Sequence, residues 1–397
     1  MKNLNKMPQS IIYFMKPKHL PLDDFLPFFL NGKELNMFKD AEIFVFHKNF
    51  FRDVVSKSEF YNRIIKENNI RITSYSSDEG RFNFSFLSSY IKMHCKIIFA
   101  LGKPSKNKKI VLGYAHVGGV SKILIYPFLK FGNILNCYFQ ISPHTQTLYE
   151  RKNYHRGKSM NVVKYGGEDL ILTSTRHPEG IPAEKSDKWR YVGFPRGYGV
   201  WWDAIERYNN STEGRGTRTD SIFWPLNVLY RQNGNLKLYI GDGILDLLKK
   251  LAKLTPQPFI VFKYHVTTDQ TEFGRILKES GYKNYEISGE HASVLIQRSK
   301  LVVSTLGTTV FVDANFRKTP CMLFLSSKTL KGQNKGIWSD KVFSSLSQFI
   351  ISDDHKMAHE IFCLSEDEMK QRYDMKFVDP SREMISSSDF QKLFDQY

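Results

Sequence analysis

Between Phe259 and Thr309 the chain reads FIVFKYH, then a segment with helical spacing, then KLVVSTLGTT. Each apolar run is short, unbroken and rich in large or β-branched residues, as expected of a strand buried on both faces of a parallel sheet. Each run ends in polar groups. Lys263 and His265 follow the first; Ser304, Thr305, Gly307, Thr308 and Thr309 follow the second. In open α/β sheets the carboxyl ends of the strands border the ligand crevice. A cation, an imidazole and hydroxyls around a glycine suit a phosphate-bearing ligand, and so a nucleotide-activated donor.

The same alternation fills the second half. Ser221–Tyr230 carries a strand, Asp242–Leu254 a helix with Ile244, Leu247, Leu248 and Leu251 on one face, and Thr271–Glu279 a helix closed by Gly281. Tyr285–Ile287 and Cys321–Leu325 read as strands, and Glu290–Arg298 and Thr309–Phe316 as helices. Upstream, strands are expected at Ile11–Met15, Ala41–Phe46, Ile70–Tyr75, Lys96–Ala100, Ile110–Tyr114, Asp169–Ser174 and Trp189–Gly193. Helices are expected at Asp23–Leu30, Ser56–Glu67, Ser88–Cys95 and after Gly118-Gly119. This alternation predicts an α/β fold with doubly wound sheets. The polar stretch Asn209–Asp220 reads as a linker. It separates an N-terminal domain over 1–210 from a C-terminal domain over 221–365, and helices in 366–397 are expected to pack back on the first domain.

At 397 residues the chain exceeds what one core usually holds. A net charge of +17 attracts polyanions: nucleic acid, anionic lipid or acidic glycan. The basic residues are scattered and no nucleic-acid module is recognisable, so a specific nucleic-acid partner is not expected. Peripheral contact with an anionic membrane is. Cys95, Cys137, Cys321 and Cys363 form no CxxC and read as buried free thiols of a reducing compartment. The first residues lack the apolar core of a secretory signal. No apolar stretch reaches the ~20 residues that span a bilayer. The expected location is cytoplasmic, at most peripheral on the inner face of the cell membrane.

Lys263 and His265 can neutralise a departing phosphate, a group that gains charge as its bond to a sugar breaks. Ser304–Thr309 sits at a strand-to-helix turn, where free backbone N–H groups and hydroxyls make an anion site and Gly307 admits close approach. Asp313 lies one turn further on. His116, after the strand IVLGY and before Gly118-Gly119, can act as general base on an acceptor hydroxyl, since an imidazole titrates near pH ~6.5. His144 and His177 are weaker competitors. Each feature also has a plainer reading: a polar strand end, an N-cap cluster, a structural histidine at a glycine turn. For Arg196 and Tyr198 in GFPRGYG the readings are a hinge or a tight turn. No DxD pair, P-loop, HExxH or paired CxxC occurs, so metal-independent transfer without a cofactor is expected.

At these residues the second half resembles the donor-binding domain of GT-B-fold glycosyltransferases. More narrowly, it is similar to bacterial surface-polysaccharide enzymes, the CDP-glycerol glycerophosphotransferases and CMP-sugar transferases. Lys263–His265 matches their Lys-x-His-Pro segment, Leu301–Ser304 their apolar strand, Ser304–Thr309 their Ser/Thr-rich turn and Asp313-Ala314 the following helix. Tyr191–Tyr198 resembles their GxPR segment, and His116–Gly119 their HG turn. Val266 stands where that family has proline, Lys300 where it has aspartate, and no Thr-Pro follows His116. The resemblance implies two Rossmann-like doubly wound domains facing a cleft. It implies that His265, Ser304, Thr305 and Thr308 grip the donor phosphate while His116 serves as base. The implied activity is transfer of a sugar from a cytidine- or uridine-activated donor to a hydroxyl of a lipid-linked or polyanionic surface glycan. Alternatives are phosphotransfer from a CDP-alditol, as in teichoic-acid or capsule assembly, and non-enzymatic polyanion binding.

Overall fold

The computed structural model describes residues 9–15, 19–45, 55, 57–74, 84–104, 108–113, 119–131, 133–140, 169–173, 188–211, 220–226, 230–233, 236–239, 241–265, 268–305, 308, 310–325, 346–352, 355–377 and 385–394. The chain divides into two compact units, Met1–Ala204 with Ser381–Tyr397, and Ile205–Pro380.

The first unit is built on β1 (Gln9–Met15), β2 (Phe38–Val45), β3 (Ile70–Ser74), β4 (Lys109–Leu112), β5 (Ile134–Gln140), β6 (Leu170–Thr173) and β7 (Trp189–Tyr191). All pair in parallel, in the order β3-β2-β1-β4-β5-β6-β7. Its helices are α1 (His19–Glu34), α2 (Glu59–Glu67), α3 (Phe84–Gly102) and α4 (Gly119–Phe131). Ser58 caps α2 by accepting from the Tyr61 N–H. Much of the phenylalanine excess serves this core: Phe25, Phe28, Phe29 and Phe38 stack in series, and Phe390 of the C-terminal helix Ser387–Lys392 packs on Phe28.

Lys96–Ala100, expected as a strand, lies inside α3. Met93, Ile97 and Leu101 are buried at helical spacing, and that stripe overrides the local preference of the Ile-Ile-Phe run. The Lys109 ammonium donates to the carbonyls of Ala100 and Leu101, capping the C-terminal end of α3; burial lowers its pKa. Residues of GFPRGYG form a tight 3-10 turn, Pro195–Gly197. Buried Arg196 pairs with buried Asp24 at 3.2 Å, and the Tyr198 hydroxyl donates to the Val192 carbonyl.

α5 (Gly199–Ser211) spans the division between the units, which falls between Ala204 and Ile205. It therefore runs into the start of the segment read as a linker. The second unit carries β8 (Ser221–Leu226), the hairpin β9 (Tyr230–Asn233) and β10 (Leu236–Tyr239), then β11 (Ile260–Tyr264), β12 (Tyr285–Ile287), β13 (Ser299–Ser304), β14 (Cys321–Leu325) and β15 (Phe349–Ser352). Apart from the hairpin these form one parallel sheet, β12-β11-β8-β13-β14-β15. Its helices are α6 (Gly241–Leu251), α7 (Gln270–Ser280), α8 (Ala292–Gln297), α9 (Val310–Arg317), α10 (His355–Cys363) and α11 (Glu366–Arg372). One core joins Trp224, Phe262 and Val303 to Leu247, Leu248, Phe273, Ile276 and Ile361. Asp269 caps α7, and Gly281 ends it at φ 68, a left-handed value that glycine adopts without strain. Cys137 and Cys321 are buried, but Cys95 and Cys363 are exposed, correcting the expectation that all four thiols are interior.

Candidate functional site

In chain order the second sheet runs third, second, first, fourth, fifth, sixth, so its winding reverses between β8 and β13. Outside the carboxyl ends of the strands at such a reversal the connections diverge and leave a crevice. The register shows what reaches that edge. Lys263 pairs with Pro225 and Tyr264 with Leu226. On the other side Val302 pairs with Phe223, so two residues later Ser304 comes level with Pro225. Two strand spacings put the Lys263 and Ser304 backbones about 10 Å apart.

Their side chains share a face. Trp224, Phe262 and Val303 enter the core under α6, α7 and α10. Strand alternation turns Pro225, Lys263 and Ser304 to the opposite face, where α8 and α9 lie. Pro225 contributes to the opening. Backbone groups on β8 alternate between its two neighbours: the Ile222 N–H donates to Phe259, and the Leu226 carbonyl accepts from His265, both on the β11 side. Pro225 thus faces β13 and offers no N–H to close that pair. Pairing of β8 with β11 runs on to Leu226, while its pairing with β13 ends at Phe223.

His265 is exposed just past β11, and its backbone is fixed. Its N–H donates to the Leu226 carbonyl at 3.1 Å and to the Thr268 Oγ1 at 2.9 Å. The Thr268 hydroxyl donates onward to Leu226 at 3.2 Å, and the Thr268 N–H donates to the His265 carbonyl. The buried Thr268 therefore staples the β11 turn to the end of β8. The Lys263 ammonium donates to the Gly289 carbonyl at 3.3 Å, on the side of β12. Burial, and then nearby Tyr285, raises the pKa of Tyr264, which holds the phenol neutral.

The hydroxyl cluster is more enclosed than its sequence suggests. Ser304 is fully buried and Thr305 nearly so. Half-buried Thr308 accepts from the Val310 N–H at 3.4 Å and begins α9. Asp313 is buried within α9, close enough to Cys321 to add to the rise in thiol pKa that burial causes. Gly307, Thr309 and His116 lie outside the described residues.

Sequence reasoning passed over Pro225, Thr268 and Glu290. A proline inside an otherwise central strand marks a place where pairing stops. Thr-Thr-Asp before a helix marks a stapled turn. Buried Glu290, next to Gly289, accepts from the Tyr208 hydroxyl at 2.7 Å and from the His291 N–H at 2.7 Å. Asn209 accepts from Arg298 Nε at 2.9 Å, so the end of α5 is bound to both ends of the α8 segment.

No protein-family model and no curated protein sequence matches the chain. Solved structures do. A Listeria monocytogenes protein described as a UDP-N-acetylglucosamine 2-epimerase superposes with a TM-score of 0.55 at 12% identity, covering 98% of this chain and 95% of that one. The UDP-GlcNAc 2-epimerase of Methanocaldococcus jannaschii, solved with UDP-GlcNAc and UDP, gives 0.50 at 14% identity over 98% of this chain and 99% of its own. At such identities the likeness concerns the fold. With two parallel sheets that each reverse at their first strand, the chain has the GT-B architecture of two Rossmann-like doubly wound domains.

Proposed function

We propose that the protein is a transferase acting on a nucleotide-activated sugar, with the donor phosphates at the carboxyl edge of the second sheet between β11 and β13. The observation that carries this reading is the position of Lys263 and Ser304, on one face of the sheet and on either side of Pro225, at the winding reversal. Lys263 and His265 meet the negative charge that collects on the phosphate as the glycosidic bond breaks, and so favour the transition state over the ground state. His116 removes the proton of the acceptor hydroxyl. The acceptor is a lipid-linked or polyanionic surface glycan, in keeping with the net charge of +17, and the transfer is metal-independent.

Epimerisation of a nucleotide sugar is a second reading. Both structures named above come from proteins described as UDP-GlcNAc 2-epimerases, and one was solved with UDP-GlcNAc. It needs the same donor edge and no acceptor.

Melting of the protein with a panel of UDP, CDP, CMP, their sugars and CDP-alditols tests the proposal. A cognate nucleotide at about a hundred times its Kd adds about 2.7 kcal/mol of stability. His265→Ala and Lys263→Ala are expected to lose that gain while melting normally without ligand. Stabilisation by CDP-alditols alone replaces sugar transfer with alditol-phosphate transfer. Epimer formation without acceptor supports the second reading. Silence to every nucleotide, with steeply salt-dependent polyanion binding, leaves only non-enzymatic binding.

A further inference from the structure

We infer that the outer faces of α3 and α4 form a docking surface for an anionic lipid bilayer. This does not rest on the donor reading. Among the described residues, the large apolar side chains that remain exposed are Ile91, Phe99, Ile123, Leu124, Tyr126, Tyr285, Ile287 and Ile350. The first five lie on these two helices. Phe99 and Ile123 are each 72% exposed, beyond what a scattered surface residue needs to explain.

The helices are neighbours. Met93, Ile97 and Leu101 of α3 and Ile125 of α4 enter one core with β1, β2, β4 and β5. Gly102 at the end of α3 sits beside the Phe128 ring of α4. With the inner faces thus engaged, the outer ones align. On α3, Ile91, Cys95 and Phe99 follow at i, i+4 and i+8, and the exposed Lys92 and Lys96 run along one flank. On α4, Ile123, Tyr126 and Pro127 are exposed beside Lys130.

The charge pattern selects the occupant. No aspartate or glutamate occurs between Glu79 and Glu150; among the described side chains of that stretch, Lys92, Lys96, Lys103 and Lys130 are exposed and Lys108 is half-buried. An apolar stripe edged by lysines fits acyl chains below and anionic headgroups around. Tyr126, apolar in its ring and polar at its tip, suits the headgroup level. A second copy of the chain fits poorly, because a two-fold contact would set these lysines against their own counterparts. No helix among the described residues is long and apolar enough to cross a membrane, so the contact lies in the interfacial plane.

The test is co-sedimentation of the full chain with vesicles of phosphatidylcholine alone, and of phosphatidylcholine and phosphatidylglycerol in equal parts. We expect at least about tenfold tighter binding to the anionic vesicles, weakening with salt. The double variant Phe99→Glu/Ile123→Glu should abolish binding without changing the melting temperature, since both side chains are exposed. Lys92→Gln and Lys96→Gln should each weaken binding about fivefold. Ile350→Glu, which removes an exposed apolar residue on β15, should leave it unchanged. In a Cys363→Ser background, an environment-sensitive dye on Cys95 should shift to the blue on anionic vesicles. Equal binding to both vesicle types overturns the inference, as does full binding by the Phe99→Glu/Ile123→Glu variant. So does a dimer that this variant dissociates in a chain with no affinity for vesicles.

Discussion

Thr268→Val isolates the staple that fixes His265. The substitution is nearly isosteric, so packing around the buried side chain is kept while its hydroxyl is lost. Two hydrogen bonds disappear, one accepted from His265 at 2.9 Å and one donated to Leu226 at 3.2 Å. Each ordinarily contributes about 0.5–1.5 kcal/mol net, for an upper sum of about 3 kcal/mol. The loss should fall below that bound, because the His265 N–H still donates to the Leu226 carbonyl at 3.1 Å and neither group is orphaned. A cost of about 1–2 kcal/mol follows. In a unit the size of Ile205–Pro380 it lowers the melting temperature by about 2–8 °C. The turn carrying His265 also loses its restraint, so the stabilisation given by saturating nucleotide should shrink, and Thr268→Ser should restore much of both. Calorimetric melting with and without nucleotide reads the two effects together. A Thr268→Val protein that melts like wild type and responds fully to nucleotide would refute the reasoning.

Other outcomes follow from the packing and the caps. Phe262→Ala should cost about 3–5 kcal/mol in denaturant unfolding, since the buried ring touches Trp224, Phe273 and Tyr285 at the centre of the second core. Asp24→Ala should cost about 3–5 kcal/mol by removing the buried carboxylate that pairs with the buried Arg196, a loss visible in the same experiment. Ser365→Ala removes the capping box of α11 and should cost about 1 kcal/mol. Hydrogen bonding with the Ser365 backbone, then with its side chain, holds the Glu368 carboxyl below its usual 4.5. A carboxyl with a depressed folded pKa stabilises the fold above its unfolded value and loses that contribution as pH falls through the folded one. Glu368→Gln should therefore flatten the decline of stability below pH 4.5, measured by unfolding across a pH series.

The second unit was the more legible half. Its strands are unbroken apolar runs, and Asp269, Gly281 and Ser365 mark helix ends by ordinary capping chemistry. The first unit hid more. Lys96–Ala100 looks β-forming in isolation, but it is one stretch of a stripe that becomes helical only when Met93 and Leu101 are counted with it. β5 and β15 have no strong flanking signal, and the β9–β10 hairpin is short. At the site, the polar strand ends could be read directly, because a buried parallel strand has little reason to end in lysine, histidine and serine. Their common face could not. It depends on the register across β8, set by pairings far apart in sequence. Nor could sequence foretell that Ser304 and Asp313 would be buried, because the composition of a turn does not say how closely the next helix packs over it.

The most direct measurement is a crystal structure of the protein with UDP or CDP. The account predicts diphosphate density at the carboxyl edge of the second sheet, within hydrogen-bonding reach of His265 and of backbone N–H groups in the turn after Ser304. A diphosphate bound at any other surface, with that edge closed over the buried Ser304, would contradict it.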